Sequence, residues 1–349
     1  MTKILVTGTA GFIGFHLVKR LLGEGLDILG IDNINNYYDI NLKYARLAET
    51  GIIHSNQINE NKNLSSKEIK FGEIINSDLY SNYRFMRTDV ENEKVLFELF
   101  ASENFDYVIH LAAQAGVRHS IENPNQYIQS NIIGFFNILE ACRKFPVRKL
   151  LYASSSSVYG NNFKTPFSTN DKTDEPISLY AATKKSNELM AHAYSHLYQI
   201  PTIGLRFFTV YGSWGRPDMS PMLFADAIAT EKPIKVFNSG DMERDFTHVS
   251  DIVEGIFKLL VSDKKLEHNY QIFNIGNGTP INLLDYIKTI EKYMGKKAEL
   301  LFLPMQPGDV KRTWADTQKL REFCNYKPNT NIDDGVHEFV SWFKNYKIS

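Results

Sequence analysis

Tyr180 and Lys184 carry a phenol and an ammonium group four residues apart, in the segment Tyr180-Ala-Ala-Thr-Lys184. On a helix, residues at this spacing lie on one face, one turn apart. An unperturbed phenol has a pKa near ~10, which is too high for a base at neutral pH. A neighbouring cation favours the phenolate and lowers that pKa, so that the phenol could take a proton from a substrate hydroxyl. Because the chain has 18 tyrosines, such a pair gains meaning only from other residues placed with it.

A run of four serines, Ser154 to Ser157, begins at the end of an apolar segment at 150–154. A hydroxyl at the carboxyl end of a strand could hydrogen-bond a reacting oxygen and relay its proton. A serine-rich turn is the alternative interpretation of the same residues.

A glycine-rich segment, Thr7-Gly-Thr-Ala-Gly-Phe-Ile-Gly14, follows an apolar run at 3–7 and opens a helical pattern. Gly8 permits a tight turn, Gly11 lets a pyrophosphate approach the backbone, and Gly14 lets helix and strand pack closely. The helix N-terminus presents free N–H groups and partial positive charge to phosphates. The position between strand and helix favours a dinucleotide site over an ordinary turn. The cofactor-binding candidates of this segment are Gly8, Gly11, Phe12, Ile13 and Gly14.

Asp32 ends the second apolar run, eighteen residues after Gly14, where a carboxylate can accept both hydroxyls of an adenosine ribose. It would repel a 2′-phosphate, and no Arg or Lys occupies the three positions that follow, which favours NAD over NADP. Asp89 and Val90 follow the third run, and the Asp89 carboxylate could accept from the adenine amino group or serve a turn. Ala112 follows the fourth run, where a small side chain leaves room for a cofactor.

Short apolar runs separated by helix-length amphipathic stretches predict strands that are buried on both faces. They lie at 3–7, 27–32, 83–88, 106–111, 150–154 and 202–207. Strands alternating with helices imply right-handed βαβ units, so the predicted fold class is α/β, a doubly wound parallel (Rossmann) sheet with a smaller C-terminal substrate-binding lobe. We expect residues 1–206, with a return segment near 244–276, to bind the dinucleotide, and residues 207–243 and 277–349 to form the substrate lobe. The polar segment 50–81 does not fit this pattern and receives no function.

The composition excludes several function classes. A formal net charge of −1 over 349 residues gives no global field for nucleic acid or an acidic membrane surface. Two cysteines cannot form a disulfide framework, which favours a reducing cytoplasm. No apolar run is long enough to span a bilayer, and the glycines interrupt the N-terminal apolar stretch, so it is interpreted as strand and helix rather than as a signal peptide. No metal-ligand pattern is assigned.

The ordered motifs resemble those of the extended short-chain dehydrogenase/reductases, specifically the NAD-dependent epimerase/dehydratase family of nucleotide-sugar enzymes. The resemblance spans nearly the whole chain and rests on TGTAGFIG (7–14), Asp32, HLAAQAGVR (110–118), SSSSVYG (154–160), YAATK (180–184), LRFFTVYG (205–212), RDFTHVSDI (244–252) and PGDV (307–310). It implies Ser155, Tyr180 and Lys184 as the catalytic set, with Tyr180 and Lys184 also contacting the cofactor. It further implies that Asn131 supports the lysine, and that the protein is a homodimer through apolar faces of helices near 132–141 and 189–197. A core within the single chain is the alternative interpretation of these faces.

The residues after Ser155 bear on the reaction. Dehydratases that this chain resembles carry Asp-Glu at the next two positions, and decarboxylases usually keep the Glu, whereas this chain has Ser156 and Ser157. A serine hydroxyl cannot replace a carboxylate as a general acid or base near neutral pH. The expected reaction is therefore oxidation and re-reduction at C4 of a UDP-sugar, which is epimerisation with recycled NAD.

The best local match is to UDP-glucuronate 4-epimerases, through the segments 32–39, 208–212 and 214–219. A C6 carboxylate favours a hydroxyl donor and a guanidinium, which Thr209, Arg216 and the adjacent serines could supply. A solvated loop arginine is the other interpretation of Arg216. The substrate-binding candidates are Arg118, Ser155, Ser156, Ser157, Tyr180, Thr209, Arg216, Arg244 and Asp309, of which Arg244 resembles the family's diphosphate contact and Asp309 its uridine ribose contact.

Two alternatives remain open at this point: a 4-epimerase of a neutral or N-acetylated UDP-hexose, and a catalytically silent NAD-binding sensor or scaffold. Surface-polysaccharide precursor supply is a plausible pathway for the uronate enzyme. An intact Ser155, Tyr180 and Lys184 set argues against the silent protein.

Overall fold

The computed structural model describes residues 2–53, 69–306 and 309–347. The strands are β1 Lys3–Thr7, β2 Asp27–Asp32, β3 Ile74–Asn76, β4 Tyr83–Arg87, β5 Tyr107–His110, β6 Lys149–Ser155, β7 Thr202–Phe207, β8 Thr209–Tyr211, β9 Ile234–Phe237, β10 Glu243–Arg244, β11 Phe246–His248, β12 Tyr270–Ile275, β13 Ile281–Asn282 and β14 Leu300–Leu303. The α-helices are α1 Phe12–Leu22, α2 Ile40–Glu49, α3 Glu93–Glu103, α4 His119–Glu122, α5 Pro124–Tyr127, α6 Gly134–Lys144, α7 Leu179–Tyr198, α8 Ser220–Ala229, α9 Val249–Val261, α10 Leu283–Met294, α11 Gln318–Cys324 and α12 Ile332–Lys347. A π-helical turn, Ile128–Ile133, joins α5 to α6.

Eight strands of the described chain form one sheet in the order β12-β7-β6-β5-β1-β2-β4-β3. The pairs β1–β2, β1–β5, β2–β4 and β5–β6 are parallel, and the edge strand β3 is antiparallel to β4. The order reverses beside β1, since β2 lies on one side of it and β5 on the other. Such a reversal creates a crevice at the carboxyl ends of the strands, where ligands bind in open α/β sheets.

The predicted fold class is confirmed, and most predicted strands match within two residues. The runs at 3–7, 27–32 and 202–207 coincide with β1, β2 and β7, because apolar side chains without alternation bury both faces of a strand. Of the unassigned segment 50–81, residues 54–68 lie outside the described residues, and its later part contributes the edge strand β3.

The chain divides into two compact units. The first contains residues up to 154 together with 178–205 and 256–272, and the second contains 155–177, 206–255 and the chain from 273. The predicted assignment of a dinucleotide domain and a substrate lobe stays a prediction. Each unit has its own apolar core, in which a fully buried Leu or Phe side chain contributes about 1.5–3 kcal/mol relative to an exposed one.

The first unit packs its helices on the parallel sheet. Lys149 at the start of β6 donates from Nζ to the carbonyl oxygens of Leu259 (2.9 Å) and Ser262 (3.1 Å) at the end of α9. A buried lysine at a helix C-terminus satisfies carbonyls that have no intrahelical partner. This contact fixes β6, the strand that leads into the serine run. Within the described ranges, no helix is long and apolar enough to cross a membrane.

The second unit combines short strand pairs with helices. Its pairs are β8–β11 and β9–β14, which are parallel, and β10–β13, which is antiparallel. Asp245, between β10 and β11, is fully buried and accepts hydrogen bonds from the backbone N–H groups of Asn277, Gly278 and Ala315. This carboxylate therefore ties three separate chain segments together next to Arg244.

Candidate active site

The glycine-rich loop between β1 and α1 has no room for a side chain at its three glycine positions. Gly8 has a φ of +78°, and a Cβ there would lie 2.8 Å from the backbone nitrogen of Ala112. A Cβ on Gly14 would lie only 2.1 Å from the carbonyl oxygen of Gly8, and one on Gly11 would lie 2.9 Å from the same oxygen. Real Cβ atoms do not come this close, so the loop requires these glycines and forms the close backbone approach that a pyrophosphate needs.

Helix α1 begins in this loop, and its N-terminus is suited to bind an anion. Gly11 is its N-cap residue and supplies no side-chain cap, and the first turn contains no acidic residue. The first N–H groups of a helix have no intrahelical acceptor and carry the positive end of the helix dipole. The N–H groups of Phe12, Ile13 and Gly14 can therefore serve phosphate oxygens, as the sequence predicts.

Asp32 ends β2 and is nine-tenths buried. Its Oδ2 accepts from the N–H of Ala10 at 3.1 Å, and its Oδ1 accepts from the N–H of Ile34 at 2.8 Å. Each carboxylate oxygen can accept a second hydrogen bond, so both remain able to accept from ribose hydroxyls. The carboxylate is thus oriented by the backbone of the glycine loop and of its own turn.

Helix α2 adds two cations that the sequence reasoning missed. Arg46 is fully buried, and its Nη1 donates to the carbonyl oxygen of Ala10 (2.8 Å) and to the hydroxyl of Tyr38 (2.7 Å). Lys43 is also buried and donates from Nζ to Oδ1 of Asn35 at 2.7 Å. Both side chains brace the loops around Asp32. Lys43 and Arg46 lie eleven and fourteen residues after Asp32, and this spacing does not predict a contact. Only the packing of α2 brings the two side chains close to the loops around Asp32.

Loops after neighbouring strands are joined to the Asp32 loop. Asn33 donates from Nδ2 to Oδ1 of Asp89 at 2.7 Å, so the Asp89 carboxylate already supports the turn that follows Asp32. Val90 is buried, and its Cγ2 would lie 2.5 Å from a Cβ on Gly134. These contacts place the three predicted adenosine-side residues in one region of the first unit.

Thr7 and His110 fix the loop after β5. The Thr7 hydroxyl oxygen accepts from the N–H groups of Leu111 (3.1 Å) and Ala112 (3.0 Å) and lies 2.9 Å from Nδ1 of His110. Because the hydroxyl accepts from two donors, its own hydrogen goes to Nδ1, and the imidazole proton is on Nε2. Burial, with a smaller contribution from the Lys184 charge, lowers the pKa of His110 to about 3, so the ring is neutral at physiological pH.

Tyr180 and Lys184 lie on one face of α7, as predicted. Ser178 caps this helix by accepting from the N–H of Ala181 at 3.1 Å. Lys184 is buried, its Nζ donates to the carbonyl oxygen of Ala153 at 2.9 Å, and burial lowers its pKa to about 7. Tyr180 is half-buried, with its ring 6.1 Å from that of Tyr127. The lysine is therefore both anchored to β6 and able to change its charge near neutrality.

Asn131 is linked to α7 through Thr183 and Asn187 rather than through Lys184. Its side chain accepts from the N–H of Gln114 at 2.8 Å and donates to the hydroxyl of Thr183, beside Lys184, at 3.0 Å. Its backbone oxygen, within the π-helical turn, accepts from Nδ2 of Asn187 at 2.6 Å. The residue links the loop after β5 to α7.

The serine run turns at once into a short helical turn, Ser156–Tyr159, in the second unit. Ser155 Oγ accepts from the N–H of Ser157 at 3.1 Å and from its hydroxyl at 2.9 Å. A hydroxyl that accepts twice keeps its own hydrogen for donation to another acceptor. Ser156 and Ser157 are half-exposed and carry no acid function.

Arg216 forms a two-point ion pair with Asp218 in the second unit. Its Nε lies 3.0 Å from Oδ1 and its Nη2 lies 2.5 Å from Oδ2 of that carboxylate. This fork is the arrangement in which a guanidinium binds a carboxylate most strongly. Thr209, on β8, is half-buried, and its N–H donates to the carbonyl oxygen of Asp245. The role of Asp218 was missed from sequence, although it stands only two residues from Arg216.

The remaining predicted substrate residues are held by backbone groups or lie at the surface. Arg244 donates from Nη1 to the carbonyl oxygens of Glu243 (2.9 Å) and Lys311 (3.1 Å). Asp309 is half-exposed and donates its N–H to the carbonyl oxygen of Gln306. Arg118, in the first unit, is exposed at the start of α4. Among the described residues, no group of three or more His, Cys, Asp or Glu side chains could hold a metal ion.

Comparison with known proteins identifies the relatives of this chain. The family model described as the NAD dependent epimerase/dehydratase family matches residues 4–276. The chain belongs to this family. Protein CapI of Staphylococcus aureus is 47% identical over 358 residues, which cover 99% of each chain. A UDP-glucuronate 4-epimerase of Thermodesulfobacterium geofontis is 42% identical over 345 residues, 99% of this chain and 97% of that one.

A solved structure has the same fold as this chain. The crystal structure of UDP-glucuronic acid 4-epimerase from Bacillus cereus, in complex with UDP-glucuronic acid and NAD, has a TM-score of 0.85 and 33% identity, with 99% of both chains covered. Family membership confirms the resemblance inferred from the motifs and confirms NAD as the cofactor. The first unit fits that cofactor, because its loop has no room for a Cβ at Gly8, Gly11 and Gly14 and its buried Asp32 ends β2. The roles of the individual site residues stay predictions.

Proposed function

We propose that this protein is a UDP-glucuronate 4-epimerase, which interconverts UDP-glucuronate and UDP-galacturonate with resident NAD. The observation that carries the proposal is the turn after β6, in which hydroxyls occupy the positions of a dehydratase's two carboxylates. Without an acid and a base near C5 and C6, elimination of water has no proton carriers. Oxidation and re-reduction at C4 with resident NAD need only a hydroxyl and a phenol to handle the proton. The relatives named UDP-glucuronate 4-epimerase support the same reaction.

In this account Tyr180 takes the proton of the C4 hydroxyl and later returns it. NAD, when bound, accepts a hydride from C4 and gives it back to the other face of the 4-keto sugar. Lys184, one helical turn from Tyr180, favours the phenolate when it is charged. Because its pKa lies near 7, both its ammonium and its amine are populated near neutrality. Lys184 can therefore bias Tyr180 and also exchange a proton during turnover.

Ser155 donates a hydrogen bond to the oxygen that is being oxidised. The two hydrogen bonds that it accepts from Ser157 leave its hydroxyl proton for that oxygen. Ser157 thereby acts as a positioning residue, in the place where a dehydratase would carry a carboxylate.

Thr209 and Arg216 hold the C6 carboxylate of the uronate. A 4-keto uronate is a β-keto acid and loses CO₂ readily, so an epimerase must keep the carboxylate in an orientation that prevents this loss. A guanidinium fork fixes both carboxylate oxygens, and a hydroxyl adds a third donor. Arg244 and Arg118 are assigned to the diphosphate, and Asp309 to the uridine ribose.

The active enzyme is proposed to be a homodimer in the cytoplasm. Phe136 on α6 and Leu189 and Leu197 on α7 are large apolar side chains that are 40%, 60% and 65% exposed. The faces predicted near 132–141 and 189–197 therefore offer an apolar contact. Cys142 and Cys324 are both free thiols, which suits a reducing compartment. We assign the product to the supply of surface-polysaccharide precursors.

The test is incubation of the purified protein with UDP-glucuronate, without added NAD, followed by identification of the product. UDP-galacturonate is expected. A pentose product would instead indicate decarboxylation, and a preference for UDP-glucose or UDP-N-acetylglucosamine at equal concentration would reject the uronate. Absence of turnover with bound NAD would favour the silent sensor.

A further inference from the structure

Two loops of the first unit meet beside the dinucleotide crevice. Tyr37 belongs to the loop after β2, and Gly116 belongs to the loop after β5. A Cβ built on Gly116 would lie 2.6 Å from the hydroxyl oxygen of Tyr37, so the phenol occupies the space that any side chain at position 116 would need. Gly116 also has a φ of +109°, which L side chains rarely adopt.

The order of the strands gives this contact its meaning. β1 lies between β5 and β2 in the sheet, and the glycine loop follows β1. A contact between the loops after β5 and after β2 therefore spans the carboxyl end of β1, where the switch-point crevice lies. The loops after these two strands are joined over the place at which the fold binds a dinucleotide.

Both sides of the contact are anchored. The ring of Tyr37 packs against that of His119 with centroids 4.7 Å apart. Tyr127 is fully buried, and its hydroxyl lies 2.9 Å from the carbonyl oxygen of Ala115 and 2.6 Å from that of Gly116. The glycine backbone is thereby held by Tyr127, and the hydroxyl oxygens of Tyr37 and Tyr127 lie 2.6 Å and 3.5 Å from the position that a Cβ on Gly116 would take.

We propose that Tyr37 and Gly116 form a clasp that retains NAD between turnovers. The inference rests on the proposed function, because an epimerase that recycles its cofactor gains nothing from releasing it and loses its 4-keto sugar intermediate if the site opens midway. The clasp does not touch the reacting atoms. It acts on the rate at which the crevice opens, so its removal raises NAD release.

The test compares NAD release from four purified holoenzymes: wild type, Tyr37→Ala, Tyr37→Phe and Tyr80→Ala. Bound NAD is quantified after denaturation, and its release is followed as exchange with isotopically labelled NAD. Tyr37→Ala should release NAD at least tenfold faster than wild type. Tyr37→Phe keeps the ring on His119 and should change the rate less than threefold. Tyr80 is a half-buried tyrosine that precedes β4, at the amino end of the strands rather than the carboxyl end where Tyr37 lies, and Tyr80→Ala should match wild type.

A double-mutant cycle isolates the contact from general loop damage. Gly116→Ala places its Cβ against the Tyr37 hydroxyl and should speed NAD release, whereas Tyr37→Phe removes that oxygen and should relieve part of the effect. Equal effects of Gly116→Ala in both backgrounds, or release from Tyr37→Ala at the wild-type rate, would overturn the clasp. Wild-type protein that contains no NAD and binds none would instead overturn the proposed function, and the clasp with it.

Discussion

Asp32, assigned to the cofactor in the first unit, is held by backbone groups, whereas Arg216, assigned to the substrate in the second unit, is held by a side chain. Asp32 is oriented by the N–H groups of Ala10 and Ile34, and the loop has no room for a side chain at Gly8, Gly11 and Gly14. Arg216, by contrast, is paired with a carboxylate of its own chain. A resident cofactor suits a rigid site, and an exchanging substrate suits groups that trade one partner for another.

The largest expected effect tests the proposed acid–base role of Tyr180. Tyr180→Phe removes the hydroxyl that takes the C4 proton but leaves the ring against Tyr127. Turnover should fall about 10²–10⁴-fold, the usual contribution of a general base. The bound NAD content should stay at the wild-type level, as measured after denaturation. Unchanged turnover would remove Tyr180 from the mechanism.

A smaller effect tests whether Asp218 stands in for the substrate carboxylate. In Asp218→Asn the fork of Arg216 loses its charged competitor, so the KM for UDP-glucuronate should fall about 3–10-fold, equivalent to roughly 1 kcal/mol. UDP-glucose, which has no C6 carboxylate, provides the matched control and should show little change in KM. Equal changes in KM for both sugars would mean that Arg216 does not bind the C6 carboxylate.

The charge of Lys184 gives a stability effect of a few degrees. In the unfolded chain its pKa returns to about 10.5, whereas burial lowers it to about 7 in the fold. Between these values the unfolded state binds the extra proton, so the free energy of unfolding rises with pH, by up to about 1.4 kcal/mol per pH unit. The NAD-free Lys184→Met protein should therefore melt above wild type at pH 6, and the gap should narrow by pH 9.

Lys185→Met, on the same helix, serves as the control for this comparison. Lys185 is half-buried and lies 3.9 Å from Glu188. Its replacement should not produce the same pH-dependent gap. A Lys184→Met protein whose melting temperature differs from wild type equally at pH 6 and pH 9 would contradict the buried-charge account.

The last effect concerns a second buried group, His110. Its pKa falls from an ordinary value of 6.5 to about 3 in the fold, so the unfolded chain binds a proton that the folded chain does not between these values. This stabilising contribution is complete above pH 6.5 and is lost as the pH falls toward 3. His110→Asn should show a shallower loss of the free energy of unfolding between pH 6.5 and 4, measured by urea denaturation. An unchanged slope would show that His110 is protonated in the fold.

Local patterns were enough to predict six strands of the central sheet and the glycine-rich loop between β1 and α1. β1, β2 and β7 were predicted at their observed bounds, because an unbroken apolar run indicates a strand that is buried on both faces. Asp32 and the glycines could be assigned because their chemistry depends on a strand-to-helix turn of fixed length.

Tertiary partners could not be predicted in this way. Arg46 reaches Ala10 only because α2 folds back over the glycine loop, and Asn131 binds Thr183 rather than the lysine beside it. The pair of Arg216 and Asp218 depends on the local turn of an irregular loop, which no periodicity describes. The contacts of Arg46 and Asn131 are set by packing across long sequence separations, so the sequence pattern carries no direct signal for them.

The most direct test of C4 epimerisation with resident NAD uses UDP-glucuronate that carries deuterium at C4, incubated with the purified holoenzyme without added NAD. If the hydride leaves C4 and returns to the same atom, UDP-galacturonate should form with its deuterium retained at C4. Product that has lost the label to solvent, or that lacks the C6 carboxylate, would contradict the account.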